Sequence, residues 1–206
     1  MEFENFNAAK AVFKIQGLEV HPGYAKGKMV NASLLVAELI NLFPHDQTPE
    51  TTEGYQGFYH LIAINAEVDH AELIYIIRDH NRASFEHRKE FVKKVADIMN
   101  NKFGAETVTV EVSDQYYNMK EKIDPVPYVV DLACEAMTQI GVTPRKVPIR
   151  GGTDGAQLSF KGLPCPNLFA GGLNFHGRYE WVPVQSMEKA MMTVVKIIEL
   201  SAKKEW

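Results

Sequence analysis

The order of apolar patterns over residues 8–118 constrains the fold more than any other feature of this sequence. Period-two alternation and short apolar runs indicate strands, whereas one-sided spacing at 3.6 residues indicates helices. The segments follow one another as strand 10–15, helix 29–43, strands 58–67 and 72–78, helix 84–103 and strand 108–112. One four-stranded antiparallel sheet with two helices on one face, a ferredoxin-like α+β arrangement, satisfies this β-α-β-β-α-β order. The helix at 29–43 is apolar on nearly every side, so we expect it to be heavily covered.

Residues 119–206 follow a different order, in which helices alternate with strands. The segments are helix 129–140, strand 146–149, helix 154–161, strand 166–170 and helix 186–203. An α-β-α-β-α order predicts a parallel sheet. Two strands with three helices make a poor independent domain, because a parallel sheet needs neighbours at its edges and cover on both faces. We therefore expect this part to belong to a larger α/β domain.

The composition excludes several classes of protein. A net charge of −4 over 206 residues gives no basic footprint for nucleic acid, and the sheet has no paired aromatics of the RNA-binding kind. We find no secretory signal and no apolar run long enough for a membrane. Cys134 and Cys165 lie in apolar settings typical of reduced packing residues, which favours the cytoplasm.

Glycines and polar side chains converge where the two predicted strands of the second part end. Arg150 and the pair Gly151-Gly152 follow the first strand, and Thr153 or Asp154 can cap the short helix after them. The glycine pair permits a tight turn and a close approach of the backbone to a ligand. A histidine-bearing loop follows the second strand. Open α/β sheets bind ligands at such strand ends, so we expect a ligand site here.

Several motifs in this chain resemble those of one enzyme family. They stand in order as His21-Pro22-Gly23 with Ala25 to Ala32, Ile77-Arg78-Asp79, Tyr116-Tyr117-Asn118-Met119, Arg150 to Ala156, Pro164 to Phe169 and His176-Gly177. Over essentially the whole chain they resemble the peptidase T family, the tripeptide aminopeptidases of the M20 metallopeptidase group. Tyr24 departs from the family pattern, in which a threonine is expected, but it lies in a loop away from the expected ligands.

The resemblance implies a parent enzyme with an α/β catalytic domain, a smaller inserted α+β domain and two zinc ions bridged by a water. In such a site zinc activates the water and polarises the scissile carbonyl, while a glutamate takes the proton. Residues 8–118 would be the inserted lid and dimerisation domain, which implies a homodimer. Residues 119–206 would be the C-terminal end of the catalytic domain.

The resemblance also implies that most of the metal site is missing from this chain. The family's other zinc ligands and its glutamate base precede the inserted domain, and only His176 matches a ligand. One histidine cannot hold a catalytic zinc, which needs about three protein ligands. We expect a C-terminal portion of the enzyme that is inactive alone.

The family resemblance gives substrate roles to further residues, each beside a plain structural reading. His21 would stabilise the oxyanion of the tetrahedral intermediate, in some members across a dimer interface, or is simply a loop histidine. Arg78 and Arg150 would bind the peptide carboxylate, since guanidinium matches carboxylate in two parallel hydrogen bonds. Alternatively, Arg78 makes an ion pair at the sheet edge and Arg150 bonds nearby carbonyls.

Four more residues near the two helix starts have open assignments. Asn31 either contacts a substrate oxygen or caps the first helix, and Asp154 either binds the substrate's free amine or caps its own helix. Gly152 and Thr153 would form a backbone nest for substrate atoms.

A reading without catalysis also remains open. In that hypothesis residues 8–118 fold alone as a dimerisation or binding module, and the rest of the chain is an appendage.

Overall fold

The computed structural model describes residues 1–204 and divides the chain into two compact units. We call Phe6–Tyr117 the sheet unit, and Met1–Asn5 with the described residues from Asn118 onward the helical unit. The elements are β1 (Asn7–Gln16), a 3-10 turn (Pro22–Tyr24), α1 (Ala32–Asn41), β2 (Phe58–Ala66), β3 (His70–Asp79), α2 (Arg82–Phe103), β4 (Val108–Tyr116), α3 (Lys120–Ile123), α4 (Tyr128–Gln139), α5 (Asp154–Phe160) and α6 (Val184–Ser201). No helix among residues 1–204 has both the length and the apolar character needed to cross a bilayer.

The sheet unit has the four-stranded antiparallel sheet that the sequence predicts. The strands lie in the order β2-β3-β1-β4, and every neighbouring pair is antiparallel. Alternation decides which face is buried: Ala11, Phe13 and Ile15 of β1 enter the core, whereas Lys14 between them is exposed. The predicted β-α-β-β-α-β order is therefore confirmed.

Helix α1 buries one stripe rather than its whole surface. Leu35, Val36 and Leu39 are buried in the core beside the sheet, but Leu34 is 66% exposed. The prediction of heavy cover holds for this stripe and is wrong for the side that carries Leu34. A helix that lies on a single sheet face can bury only the residues that recur at 3.6-residue intervals on one side.

A buried ion pair joins the end of β3 to helix α2 and to the loop before β2. Arg88 Nε donates to Asp79 Oδ2 at 2.8 Å, and the other oxygen of Asp79 accepts from the backbone N–H of Asn81 at 2.9 Å. Arg88 Nη1 also donates to Gln47 Oε1 at 2.7 Å. The pair is shielded from water, since the side chains of Arg88 and Asp79 are 15% and 7% exposed. These contacts fix the long irregular loop between α1 and β2 to the sheet.

Gly57 lies directly against this ion pair, and we expect Gly57→Ala to destabilise the sheet unit. A Cβ at this position would stand 2.3 Å from Asp79 Oδ2, 2.5 Å from the Arg78 carbonyl oxygen and 2.7 Å from Arg88 Nε. Overpacking of this kind costs about 1–3 kcal/mol in the free energy of unfolding, measurable by urea denaturation. Gly151→Ala is the control, since a Cβ at Gly151 meets no atom within 4 Å. Equal losses in the two variants would contradict the packing argument.

The helical unit has no continuous sheet in the described residues, contrary to the prediction for 146–149 and 166–170. Both segments pair only briefly with the N-terminal segment: Ile149 N–H donates to the Glu4 carbonyl at 2.9 Å, and Glu2 and Asn167 exchange bonds of 3.0 and 2.7 Å. The Asn5–Ile149 bridge is parallel and the Glu2–Asn167 bridge antiparallel. The apolar runs are not strands here, because a strand forms only where neighbours pair along its length.

Two buried asparagines join the separate parts of the helical unit. Asn5 N–H donates to Asn118 Oδ1 at 3.1 Å, and Met119 N–H donates back to Asn5 Oδ1 at 2.7 Å. Asn118 Oδ1 also accepts from Lys120 N–H at 3.0 Å. The segments just before and just after the sheet unit in sequence thus lie side by side.

Candidate functional site

His21 lies on a loop of the sheet unit that is closed at its base by backbone hydrogen bonds. Leu18 and Val30 exchange bonds of 2.8 and 3.0 Å across the ends of this loop. His21 caps the short turn Pro22–Tyr24, and its Nδ1 accepts from the backbone N–H of Gly23 at 3.1 Å. In the neutral imidazole the proton is therefore on Nε2. The exposed ring thus presents a hydrogen-bond donor, the group that an oxyanion requires.

Asn31 follows this loop and serves as the N-cap of α1. Its Oδ1 accepts from the backbone N–H of Leu34 at 3.4 Å, while its own backbone is extended. Of the two readings offered by the sequence, the structure therefore supplies the capping contact. The capping bond uses the amide oxygen of Asn31. A substrate oxygen would instead need a hydrogen bond donated by the amide nitrogen.

Arg78 lies near the end of β3, where it is half-buried. Its Nη1 donates to the carbonyls of Ile77 at 2.9 Å and Ala9 at 3.2 Å, and its guanidinium stands 5.4 Å from the centre of the Tyr116 ring. Burial lowers the pKa of Arg78 and raises that of Tyr116. Tyr116 received no role from the sequence, although it stands in one of the quoted motifs. The predicted ion pair is replaced here by carbonyl and aromatic contacts.

The strand register separates Arg78 from the His21 loop. Arg78 pairs with Ala8 at the start of β1, whereas the loop follows Gln16 at the other end. At about 3.3 Å per residue, the length of β1 puts roughly 25 Å between these two ends of the sheet. The two residues that were expected to contact one substrate thus lie at opposite ends of the same sheet unit.

The predicted Arg150 to Asp154 turn lies in the helical unit and leads into α5. Thr153, and not Asp154, is the N-cap: its Oγ1 accepts from the backbone N–H of Ala156 at 3.2 Å. Asp154 is instead the first residue of the helix, where a negative charge is favoured by the positive end of the helix dipole. The capping alternative for Asp154 is therefore wrong, and Arg150 and Gly152 stay predicted substrate contacts.

The glycine that close packing demands in this turn is Gly155. A Cβ there would stand 2.3 Å from the Cys165 carbonyl oxygen and 2.6 Å from Asn167 Oδ1, whereas one at Gly151 would meet nothing. The close approach of Gly151-Gly152 to a ligand stays a prediction, and the sequence predicts no packing role for Gly155. Gly155 was missed because no local pattern reveals which segment packs against a turn.

His176 stands at the tip of a loop whose base is closed by a bridge between Leu173 and Trp181. Its φ of 62° is left-handed, which is uncommon for a residue with a side chain and is typical of functional loops. Its backbone N–H donates to Glu180 Oε2 at 3.0 Å, which holds the loop in this conformation. The exposed imidazole is presented outward from the helical unit.

The described residues provide no complete catalytic metal site. The one group of three ligand-type side chains among residues 1–204 is Glu67, Asp69 and His70, exposed on the β2–β3 hairpin, and it excludes His176. Asp69 already accepts from His70 Nδ1 at 2.8 Å; this hydrogen bond lowers the pKa of Asp69 and raises that of His70. We interpret this group as a surface ion pair.

One cavity of the sheet unit contains none of the predicted site residues. It has a volume of about 660 Å³ and is lined by the segment that follows α1, by α2 and by Tyr59, with Arg88 and His87 at its wall. Arg88 is already engaged by Asp79, so the cavity offers no unbalanced charge to a ligand.

Many unrelated domains share the antiparallel β-α-β-β-α-β sheet, so sequence comparison is needed to identify the class of this one. The family model for a peptidase dimerisation domain of the M20 type matches residues 3–107. This chain belongs to that family.

Curated relatives extend the similarity beyond this domain. The chain is 60% identical over 202 residues to Peptidase T of Clostridium botulinum strain Loch Maree, covering 98% of this chain and 50% of that protein. It is 58% identical to Peptidase T of Parabacteroides distasonis, over 99% of this chain and 50% of that one. The chain thus spans about half the length of the curated relatives it matches, and it is homologous to their C-terminal half.

Solved structures share the fold. Aminopeptidase PepT from Bacillus cereus superposes with a TM-score of 0.81 at 25% identity, over 98% of this chain and 54% of that one. A tripeptidase from Staphylococcus aureus superposes with a TM-score of 0.82 at 22% identity, again over 98% and 54%.

Proposed function

We propose that this chain supplies the dimerisation domain and the C-terminal part of the catalytic domain of a zinc-dependent tripeptide aminopeptidase. The observation that carries the proposal is 60% identity to a Peptidase T over 98% of the chain. In this assignment residues 8–118 are the inserted domain and residues 119–206 the catalytic part. The side-by-side placement of Asn5 and Asn118 supports it, because an insertion must leave and re-enter its host at neighbouring points.

The residues present here do not suffice for the two zinc ions of the proposed enzyme. His176 is the single proposed ligand, and a catalytic zinc needs about three protein ligands. The remaining ligands and the glutamate base would come from the half of the enzyme that this chain does not match.

The chain's own residues would bind and orient the peptide. Arg78 or Arg150 would hold its carboxylate, Asp154 its free amine, and the Gly152-Thr153 backbone its amide groups. His21 would donate a hydrogen bond from Nε2 to the oxyanion. Asn31, at the start of α1, would contact a substrate oxygen.

The test is a hybrid enzyme that joins the unmatched half of the Clostridium botulinum Peptidase T to residues 1–206 in one polypeptide. With zinc we expect this hybrid to release the N-terminal residue of a tripeptide, whereas the 206-residue chain alone releases none. An N-acetylated tripeptide is the control substrate, since it lacks the free amine. His176→Ala should lower the rate by more than about 100-fold, the loss caused by removing even an outer-shell partner of a ligand. A folded hybrid without hydrolysis would refute the proposal.

The sheet unit offers one edge suited to pairing with a second copy. Strand β4 carries Glu111 and Asp114, and charges protect an edge against pairing. Strand β2 has no acidic residue, lysine or arginine, and Ile62 and Ile64 on it are each 49% exposed. Leu34 of α1 is a further exposed apolar side chain of this unit. We propose β2 and α1 as the homodimer interface.

We expect Ile64→Lys to make the chain monomeric at concentrations where the unmodified chain is dimeric. A two-fold interface contains each residue twice, so one substitution removes two apolar contacts and weakens dimerisation by about 100-fold or more. Sedimentation velocity over a dilution series measures this change. Thr109→Lys on the opposite edge strand is the matched control and should leave the dimer intact. If Thr109→Lys dissociates the dimer and Ile64→Lys does not, the interface is at β4 instead of β2.

We also place the protein in the cytoplasm. Cys134 and Cys165 are free thiols, which are usual in a reducing compartment.

A further inference from the structure

The ring of His21 is held by the two residues that follow Pro22 in the same loop. Gly23 donates its backbone N–H to His21 Nδ1 at 3.1 Å. The centre of the Tyr24 ring lies 5.3 Å from the centre of the imidazole, with 40° between the two ring planes. Aromatic rings at such distances attract one another. An exposed side chain without contacts changes rotamer freely in water, so these two contacts give the imidazole a defined orientation.

The missing side chain of Gly23 makes room for the imidazole. A Cβ at this position would stand 3.2 Å from His21 Cε1 and 3.3 Å from His21 Nδ1, so the ring would have to move. Gly23 lies within the 3-10 turn and its φ is not positive, so alanine can adopt the same backbone conformation. A substitution at Gly23 therefore disturbs the imidazole without straining the turn.

The loop that carries these residues is itself fixed to the sheet at its base. Gly17 N–H donates to the Asp69 carbonyl at 2.7 Å. A Cβ at Gly17 would stand 2.3 Å from the Val68 carbonyl oxygen, so the chain enters the loop directly against the β2–β3 hairpin. Within the loop, Tyr24 N–H donates to the His21 carbonyl at 2.9 Å and closes the turn. An imidazole that is oriented within this loop therefore also has a fixed position on the sheet unit.

We propose that Gly23 and Tyr24 are positioning residues for His21: Gly23 sets the tautomer that carries its proton on Nε2, and Tyr24 holds the plane of the ring. The proposal rests on the proposed function, in which His21 donates to the oxyanion. Such a donor lowers the barrier most when it is already aimed at the oxygen on which charge develops. Tyr24 is 75% exposed, so its ring contributes little to the core of the sheet unit. In this role both residues act through His21 and not on the substrate.

The first test is NMR spectroscopy of the full 206-residue chain, in which the chemical shifts of the two ring nitrogens report the tautomer of His21. The His21→Ala variant identifies the signals. At a pH where the imidazole is neutral, we expect the unmodified chain to carry the proton mainly on Nε2. Gly23→Ala should give a mixture of tautomers, and Tyr24→Ala should average the side-chain couplings of His21 over several rotamers. Tyr24→Phe keeps the ring and should change neither signal, and nor should Glu19→Ala at an exposed position of the same loop.

The second test measures tripeptide hydrolysis by the hybrid enzyme with the same substitutions. Gly23→Ala should lower kcat by about 10-fold and Tyr24→Ala by about 3- to 10-fold, both at nearly unchanged KM, because the contact is made in the transition state. Tyr24→Phe and Glu19→Ala should keep the full rate.

Two results would overturn the positioning proposal. One is a mixture of His21 tautomers in the unmodified chain, and the other is either readout, NMR or kcat, that stays unchanged in both Gly23→Ala and Tyr24→Ala. The NMR readout does not use catalysis. A hybrid that hydrolyses no tripeptide would therefore refute the proposed function, while the NMR spectra of the chain would still decide whether Gly23 and Tyr24 hold the imidazole.

Discussion

Mixing the His21→Ala hybrid with the His176→Ala hybrid is expected to restore tripeptide hydrolysis, although each variant alone is nearly inactive. Random exchange of subunits makes half of the dimers mixed, and one of the two sites in each mixed dimer has both histidines intact. The expected recovery is therefore about a quarter of the unmodified rate for a two-fold dimer. Subunit exchange followed by a tripeptide assay measures it.

The reason for this expectation lies in the sheet unit. Arg78 and the His21 loop occupy opposite ends of one sheet, roughly 25 Å apart by the strand register. A fully extended tripeptide spans only about 10 Å. If Arg78 and His21 both contact the same peptide, they therefore come from different subunits. A two-fold dimer satisfies this requirement, since each sheet unit then gives one residue to its own site and the other to the partner's.

Blocking the dimer should block the recovery. Introducing Ile64→Lys into both hybrids removes the proposed β2 contact, so the mixture should stay inactive, whereas Thr109→Lys should have no effect. A mixture that stays inactive without Ile64→Lys, although mixed dimers are present, would show that His21 acts within its own subunit. Arg78 would then reach the same peptide only from the partner subunit, or Arg150 would be the carboxylate ligand.

The sheet unit could be predicted from the sequence because its information is local. The alternation of apolar residues in β1 and their one-sided spacing in α2 each show which face of the element is buried. The four-stranded antiparallel sheet against which these faces pack lies within the same unit, Phe6–Tyr117. The cover around α1 was overestimated for a related reason. Leu34 is apolar, but its sequence neighbours do not reveal whether another molecule or solvent faces it.

The helical unit could be predicted less completely from the sequence. The runs at 146–149 and 166–170 have strand composition, yet the backbone bridges that the described residues show for them are single ones to Met1–Asn5. Whether such runs become strands depends on neighbouring segments that their own residues do not specify. The site was affected in the same way: the sequence offered Thr153 and Asp154 as caps without deciding between them, and it did not reveal that Gly155 makes the close contact.

Removing the buried arginine that pairs with the end of β3 should give the largest loss of stability of any single substitution considered. We expect Arg88→Ala to lower the free energy of unfolding of the sheet unit by about 3–5 kcal/mol, because Asp79 then stays buried without its partner. The variant also loses the 2.7 Å hydrogen bond from Arg88 Nη1 to Gln47 Oε1 and the contact of the guanidinium with the Tyr59 ring, whose centre is 5.0 Å away. Urea denaturation followed by circular dichroism measures the change. Lys93→Ala on the same helix should leave the midpoint unchanged, since its ion pair with Glu90 is exposed.

A double variant separates the charge effect from packing. When Asp79→Asn is combined with Arg88→Leu, both charges are absent and most of the volume is kept, so we expect stability to recover to within about 1–2 kcal/mol of the unmodified chain. The amide oxygen introduced by Asp79→Asn can still accept from the Asn81 N–H, which preserves the start of α2. If the double variant is as unstable as Arg88→Ala, the loss comes from packing around Gly57 and Tyr59. The ion pair would then position the loop without contributing its charge to stability.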